Sequence, residues 1–150
     1  MTWIIALSVI AADRFSKWIC QSYLQPVGSV PVIKGIFHLT YVQNRGAAFG
    51  ILQDKMWFFI PATGIVLAVI LHLLAKTKTD SRAMRVSLAM IAGGAIGNLL
   101  DRIWLGYVVD FLDFRVWPVF NIADSCIVVG AVLLGYLVLI KGEGIGYGKV

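Results

Sequence analysis

Four of the chain's eight acidic residues, Asp101, Asp110, Asp113 and Asp124, fall between Gly93 and Asp124. Apolar segments long enough to cross a bilayer flank this stretch on both sides. A carboxylate at membrane depth costs about 2.5–3.5 kcal/mol on insertion scales, so it marks a functional site by default. Asp110 and Asp124 are read as a converging pair. Two carboxylates in one small site cannot both ionise cheaply; one keeps its proton, and the pair titrates in two steps. The ionised partner can take a proton from water. The protonated partner can polarise a carbonyl and then assist a leaving amine. Hydrolysis of an amide bond is the chemistry such a pair permits. Asn44, Asn98 and Asn121 offer donors that hold substrate backbone or orient the aspartates where water cannot be relied on.

Other hydrolytic chemistries lack their residues. The only histidines are His38 and His72, with no paired histidines one helical turn apart beside a glutamate, so no zinc peptidase motif exists. No Gly-x-Ser-x-Gly elbow and no Walker-type phosphate loop occurs. A proton-coupled carrier using Asp110 and Asp124 as a relay is the competing class. A carrier should line a path through both leaflets.

The composition fixes the broad class. The chain has 150 residues, 59% hydrophobic and only 14% charged, against about 25% charged in a soluble domain. That is one integral membrane domain. The net charge of +5 comes from basic residues at the ends of apolar runs, which suits topology and anionic lipid rather than nucleic acid. Cys20 and Cys126 sit in apolar runs and are read as packing thiols.

Four apolar segments must position the polar residues: about 3–23, 56–75, 86–104 and 121–140. The first has no basic start and carries Asp13, Arg14 and Lys17 in its middle, so it is a retained helix rather than a cleaved leader. Asp13 and Lys17 stand at i and i+4, on one face. They either serve the site or merely neutralise each other to allow insertion. Pro26, Gly28, Pro31 and Gly35 mark turns in the segment 24–55. Ile36 to Val42 alternates like a short strand, and the small residues of Asn44–Gly50 permit close approach to a ligand or surface. On the third helix Gly94, Asn98, Asp101 and Arg102 share one face. That face is a site wall, or a polar seam in which Asn98 and Arg102 satisfy each other. The segment 105–120 alternates around Val108 to Val116 and breaks at Pro118. Asn121, Asp124 and Ser125 share a face at the start of the fourth helix. The tail 141–150 is glycine-rich.

Lys76, Lys78, Arg82 and Arg85 are the densest basic cluster. The positive-inside rule makes that loop cytoplasmic, together with both termini. All the polar residues singled out then lie in the outer half of the bilayer, with segments 24–55 and 105–120 outside. This one-sided sorting disfavours the carrier.

The chain resembles the bacterial lipoprotein signal peptidases, the signal peptidase II family. Five blocks in the family's order carry the likeness: Asp13-Arg14-Phe15-Ser16-Lys17, Asn44-Arg45-Gly46-Ala47-Ala48-Phe49, Gly93 through Arg102, Val108-Val109-Asp110-Phe111, and Phe120-Asn121-Ile122-Ala123-Asp124. The resemblance implies four transmembrane helices with a small outer β element, in the bacterial inner membrane. It implies an aspartic endopeptidase that needs no metal. The sequence shows no sign of another cofactor or of an obligatory protein partner. The substrates would be prolipoproteins whose signal peptide ends just before a diacylglyceryl-modified cysteine. Asp110 and Asp124 would be the catalytic pair, and Asp13, Lys17, Asn44, Gly94, Asn98, Arg102, Asn121 and Ala123 would line or support the site.

The topology is open to test by single cysteines at Lys34 and Lys78 in a cysteine-free background. An impermeant thiol reagent added to intact cells should label position 34 and leave position 78 untouched. Labelling of position 78 from outside would contradict the orientation.

Overall fold

The computed structural model describes residues 2–46, 54–76 and 81–142. In chain order its elements are α1 (Thr2–Leu24), β1 (Ser29–Ile33), β2 (Phe37–Asn44), α2 (Met56–Lys76), α3 (Arg82–Trp104), β3 (Val108–Asp113) and α4 (Ile122–Leu139). Segments of α2, α3 and α4, Met56–Ala75, Arg82–Trp104 and Ile122–Leu139, are long and apolar enough to cross a membrane. The fourth expected helix, α1, is present. Its 23 residues reach ~34 Å at the α-helical rise, but the charges in its middle exclude it from the apolar class. They face inward: Asp13 and Lys17 are fully buried, while Trp3, Leu7, Phe15 and Trp18 are exposed. This reverses the amphipathic pattern of a soluble helix.

α3 is the central element. Of its span 56% is buried, against 11% for α2 and 17% for α4. Small residues make that position possible. A Cβ on Gly94 would collide with the Ala123 carbonyl oxygen and come within 2.8 Å of the Ile127 side chain. A Cβ on Gly97 would lie 2.6 Å from Asp13 Oδ2. Glycine thus lets α4 and the α1 carboxylate reach α3 directly. Elsewhere Met84, Leu88 and Ala92 pack with Leu67, Ile70 and Leu137.

α3 starts earlier than its apolar run. Ser81 caps it by accepting from the Met84 N–H at 3.3 Å, which carries Arg82 and Arg85 into the first turns. Hydropathy locates the part of a helix that fits lipid, and the cap locates its start. Residues 77–80, the Ala47–Gly50 part of the small-residue segment and the tail beyond 142 lie outside the described residues.

The strands form one antiparallel sheet in the order β1-β2-β3. β2 extends past the expected Ile36–Val42 to Asn44, which pairs with Val108, and Val42 pairs with Asp110. Pro31 lies inside β1, not in a turn. β1 is an edge strand, so proline's missing N–H is tolerated there, and the register slips between Pro31 and Ile33. Leu112 and Phe120 exchange backbone bonds of 2.8 and 3.2 Å. They close the intervening loop at its base and deliver Asn121 beside β3.

Replacing Gly94 by alanine should force α3 and α4 apart, costing about 1–3 kcal/mol as overpacking does. Gly64, with open space where a Cβ would go, should accept alanine with no loss. Thermal unfolding in detergent compares the two; equal melting temperatures would refute the close-contact role.

Candidate active site

Asp110 and Asp124 reach one cleft from different elements. Asp110 is on β3, and Asp124 is the third residue of α4. α4 begins with a capping box: the Asn121 side chain accepts from the Asp124 N–H at 2.9 Å, and Asp124 Oδ2 accepts from the Asn121 N–H at 3.3 Å. The carboxylate of interest is thereby held by its own helix start. Asp13 adds a second cap from α1, accepting from the Ala123 N–H at 3.0 Å.

Side-chain amides hold the remaining oxygens. Asn121 Nδ2 donates to Asp110 Oδ1 at 2.6 Å, and Asn44 Nδ2 to Asp110 Oδ2 at 2.9 Å. Asn98 Nδ2 donates to Asp124 Oδ1 at 2.7 Å. Every oxygen of both carboxyls therefore accepts a bond from an N–H. Burial, then the neighbouring Asp124 charge, push Asp110 up to about 7, partly offset by the Asn44 and Asn121 donors.

Behind the amides sits a buried ionic cluster. Lys17 Nζ lies 2.8 Å from Asp13 Oδ2, 2.8 Å from Asp101 Oδ2 and 2.9 Å from Asn98 Oδ1. Arg14 pairs with Asp101 Oδ1 and lies over the Trp104 ring. Asp101 Oδ2 also accepts from the Val109 N–H at 3.3 Å, next to Asp110. The Asp13–Lys17 pair thus exists, and it is wired to the site rather than merely self-neutralising.

Asn98 and Arg102 do not satisfy each other. Asn98 is taken by Lys17, Asn121 and Asp124, and the Arg102 guanidinium lies 5.1 Å from the Phe59 ring centre. Arg102, Asn98 and Asp124 stand where two clefts meet. One, of about 630 Å³, also includes Asn44, Asp110, Phe114, Trp117 and Phe120. The other, of about 320 Å³, opens between α2 and α3, past Ala62, Val66 and Ala95. Asp113 turns away from the pair, as strand alternation requires. It accepts from Thr40 at 2.8 Å and from the Arg115 guanidinium at 3.0 Å.

All ten residues singled out in the sequence lie in or against this constellation. Arg14 and Asp101 were noted on their helices without being assigned to the site, and the aromatic wall was missed. A signal for Asp101 was available, since it shares the polar face of α3 with Asn98. Its partners on α1 were not visible, because helix pairing is not written in spacing.

Comparison with known proteins agrees with the geometry. Residues 5–140 match the family model described as signal peptidase (SPase) II. The chain belongs to the signal peptidase II family. A lipoprotein signal peptidase of Caldanaerobacter subterraneus subsp. tengcongensis is 55% identical over 143 residues, 95% of this chain and 98% of the relative. One of Halothermothrix orenii is 49% identical over 146 residues, 97% and 99%. A bacterial membrane enzyme structure obtained by the in meso method at 2.3 Å resolution superposes with a TM-score of 0.88 at 33% identity, covering 99% of this chain and 93% of that one. This signal peptidase II member is accordingly a peptidase and a membrane protein.

Asp101 should matter to stability far more than a surface charge. Asp101→Ala leaves Arg14 and the Val109 N–H without their acceptor and should cost about 3–5 kcal/mol. Arg45→Ala at the exposed 3.9 Å pair with Asp54 should cost less than about 1 kcal/mol. Similar unfolding temperatures for the two variants in detergent would contradict the buried-cluster assignment.

Proposed function

We propose that this protein removes signal peptides from diacylglyceryl-modified prolipoproteins, cutting on the N-terminal side of the lipidated cysteine, with Asp110 and Asp124 as the catalytic pair. The observation that carries this reading is the two carboxyls facing one cleft, with all four oxygens oriented by N–H donors. Such a pair is electrostatically coupled, the Asp124 charge helping to raise Asp110. The names of the relatives supply the substrate class.

The division of labour follows from the electrostatics. Asp110, raised to about 7, holds the pair's proton near neutrality, and Asp124 is ionised. Asp124 removes a proton from water as the water oxygen attacks the scissile carbonyl carbon. Asp110 donates its hydrogen bond to the carbonyl oxygen, which becomes the tetrahedral oxyanion. The proton on Asp124 then passes to the departing nitrogen, the C–N bond breaks, and a carboxylic acid and an amine result. Asn44 and Arg102, at the cleft wall, bind substrate backbone. Asp13, Lys17, Gly94, Asn98, Asn121 and Ala123 hold the pair in place.

In this reading α1 joins the three apolar helices as a fourth span in the bacterial inner membrane. Both termini are cytoplasmic, and the sheet lies on the outer side. The exposed Trp57, Trp104 and Trp117 support an outer aromatic belt. The apolar walls of the clefts suit a lipidated peptide arriving from the bilayer. The one-sided polar cluster and the peptidase names of the relatives leave the carrier without support.

Asp110→Asn and Asp124→Asn should each abolish cleavage of a diacylglyceryl-cysteine precursor in detergent, with the folded protein retained, since an amide keeps shape but cannot exchange the proton. The double variant should be no worse than either single one. Asp113→Asn should keep substantial turnover. Near-parental turnover in either pair variant would end the aspartic reading. The pH dependence is signed as well. With Asp110 as the proton holder, kcat falls as pH rises through about 7; a rise through that range would make Asp110 the base instead.

A further inference from the structure

The cleft of about 630 Å³ has two unlike ends. On one side of the carboxyl pair it runs along α4, past Ser125, Val128 and Val129, within a helix apolar enough to cross a membrane. On the other side it runs to Phe114, Trp117 and Phe120, in the segment between β3 and α4. Phe120 stands level with Leu112, two residues past Asp110 along β3. At about 3.3 Å per strand residue, the aromatic end begins about 7 Å from the pair. Stacking makes that end rigid. The Phe114 ring meets Phe120 at 5.9 Å, inclined by 10°, and Phe37 of β2 at 4.8 Å, inclined by 34°. Both separations suit attractive aromatic pairs. The turn that presents Phe114 is fixed by its neighbours. Asp113 accepts from the Arg115 N–H at 2.8 Å, from the Arg115 guanidinium at 3.0 Å and from the Thr40 hydroxyl at 2.8 Å. Arg115 is held at φ +66°, a left-handed conformation that side chains disfavour. Phe114 nevertheless keeps 44% of its surface exposed. Three hydrogen bonds and a strained residue thus hold a ring that the fold itself leaves half-uncovered at the cleft wall.

We propose that Phe114 is a specificity-determining residue: its ring, backed by Phe37, takes an apolar side chain from the first residues of the substrate's mature chain, just after the lipidated cysteine. This deepens the proposed function and rests on that reading of Asp110 and Asp124. The signal segment and the mature segment leave the scissile bond in opposite directions. The signal segment crosses the membrane, so it belongs at the α4 end, where the cleft wall is part of an apolar helix. The mature segment must leave the bilayer, and the aromatic end leads along the sheet and away from α4. An extended chain advances about 3.3 Å per residue. That step sets the second and third mature residues beside Phe120 and Phe114. Successive side chains point to opposite faces, so one of the two meets the wall.

Synthetic diacylglyceryl-cysteine precursors test this, carrying Phe or Ser at the second or at the third mature position. At one of the two positions the parent should show a KM for the Phe peptide about tenfold below that for the Ser peptide, with equal kcat. Phe114→Ala should raise the KM of that Phe peptide about tenfold and leave the Ser peptide within about twofold. Val116→Ala, exposed in the same segment, should keep the parental ratio. Equal KM values at both positions overturn the proposal. So does a Phe114→Ala protein that keeps the ratio or weakens every peptide alike, and so does loss of the ratio in Val116→Ala. A second readout needs no turnover and decides alone if Phe114→Ala does not fold. In the Asp124→Asn protein, a precursor with p-benzoylphenylalanine at the second or third mature position should crosslink, from one of them, to residues 114–120. Crosslinks from both positions only to other segments overturn the proposal. A parent that leaves every precursor uncut, while the probe still reaches residues 114–120, would defeat the proposed function and leave the wall standing.

Discussion

A buried lysine ammonium must find its partners inside the protein, and much of this molecule is arranged around that requirement. Lys17 forms ion pairs at 2.8 Å with Asp13 and Asp101 and donates to Asn98 Oδ1 at 2.9 Å. Two of the three are on α3, which fixes how α1 lies against the central helix. A buried charge left unpaired costs several kcal/mol, so α1 cannot rotate or slide without losing this set. Asp13 then reaches the start of α4, and Asp101 reaches the start of β3. One cation thus registers three other elements against α1.

The same economy appears at the start of α4. An α-helix leaves its first N–H groups unsatisfied, and in lipid those groups have little access to water. Asn121 and Asp13 satisfy two of them, at Asp124 and Ala123. Asn121 has a second function, since its Nδ2 reaches Asp110. The groups that begin the helix are therefore the groups that hold the carboxyl pair. Close approach of α3 to α4 at Gly94 makes this possible. Any side chain there would separate Asn98 from Asp124. Rigidity at the pair follows from secondary structure, not from a loop, which suits a site that must keep two carboxyls in register.

The two clefts meeting at Arg102 and Asp124 give the pair access from different directions. Their walls are mostly apolar, with aromatic residues from the segment after β3 on one side and α2 on the other. Under the proposed function, the two approaches suit a substrate with two unlike arms, a peptide and a lipid.

The sequence by itself determined the membrane class, the helical segments, the strand character near residue 40 and the polar faces of α3 and α4. Hydropathy and 3.6-residue periodicity are local, and they survive without knowledge of neighbours. Asp110 and Asp124 were legible because carboxylates beside apolar spans are costly. The five motif blocks pointed to the family. Tertiary structure decided what local patterns cannot hold. It showed that Asp13 caps α4 from 110 residues away, that Asp101 ties Arg14 and Lys17 to β3, and that Pro31 sits on a sheet edge. It also paired Asn98 with Lys17 in place of Arg102. These depend on which faces meet, and that is settled by satisfying buried donors and acceptors across the whole fold, a condition no single stretch of chain contains.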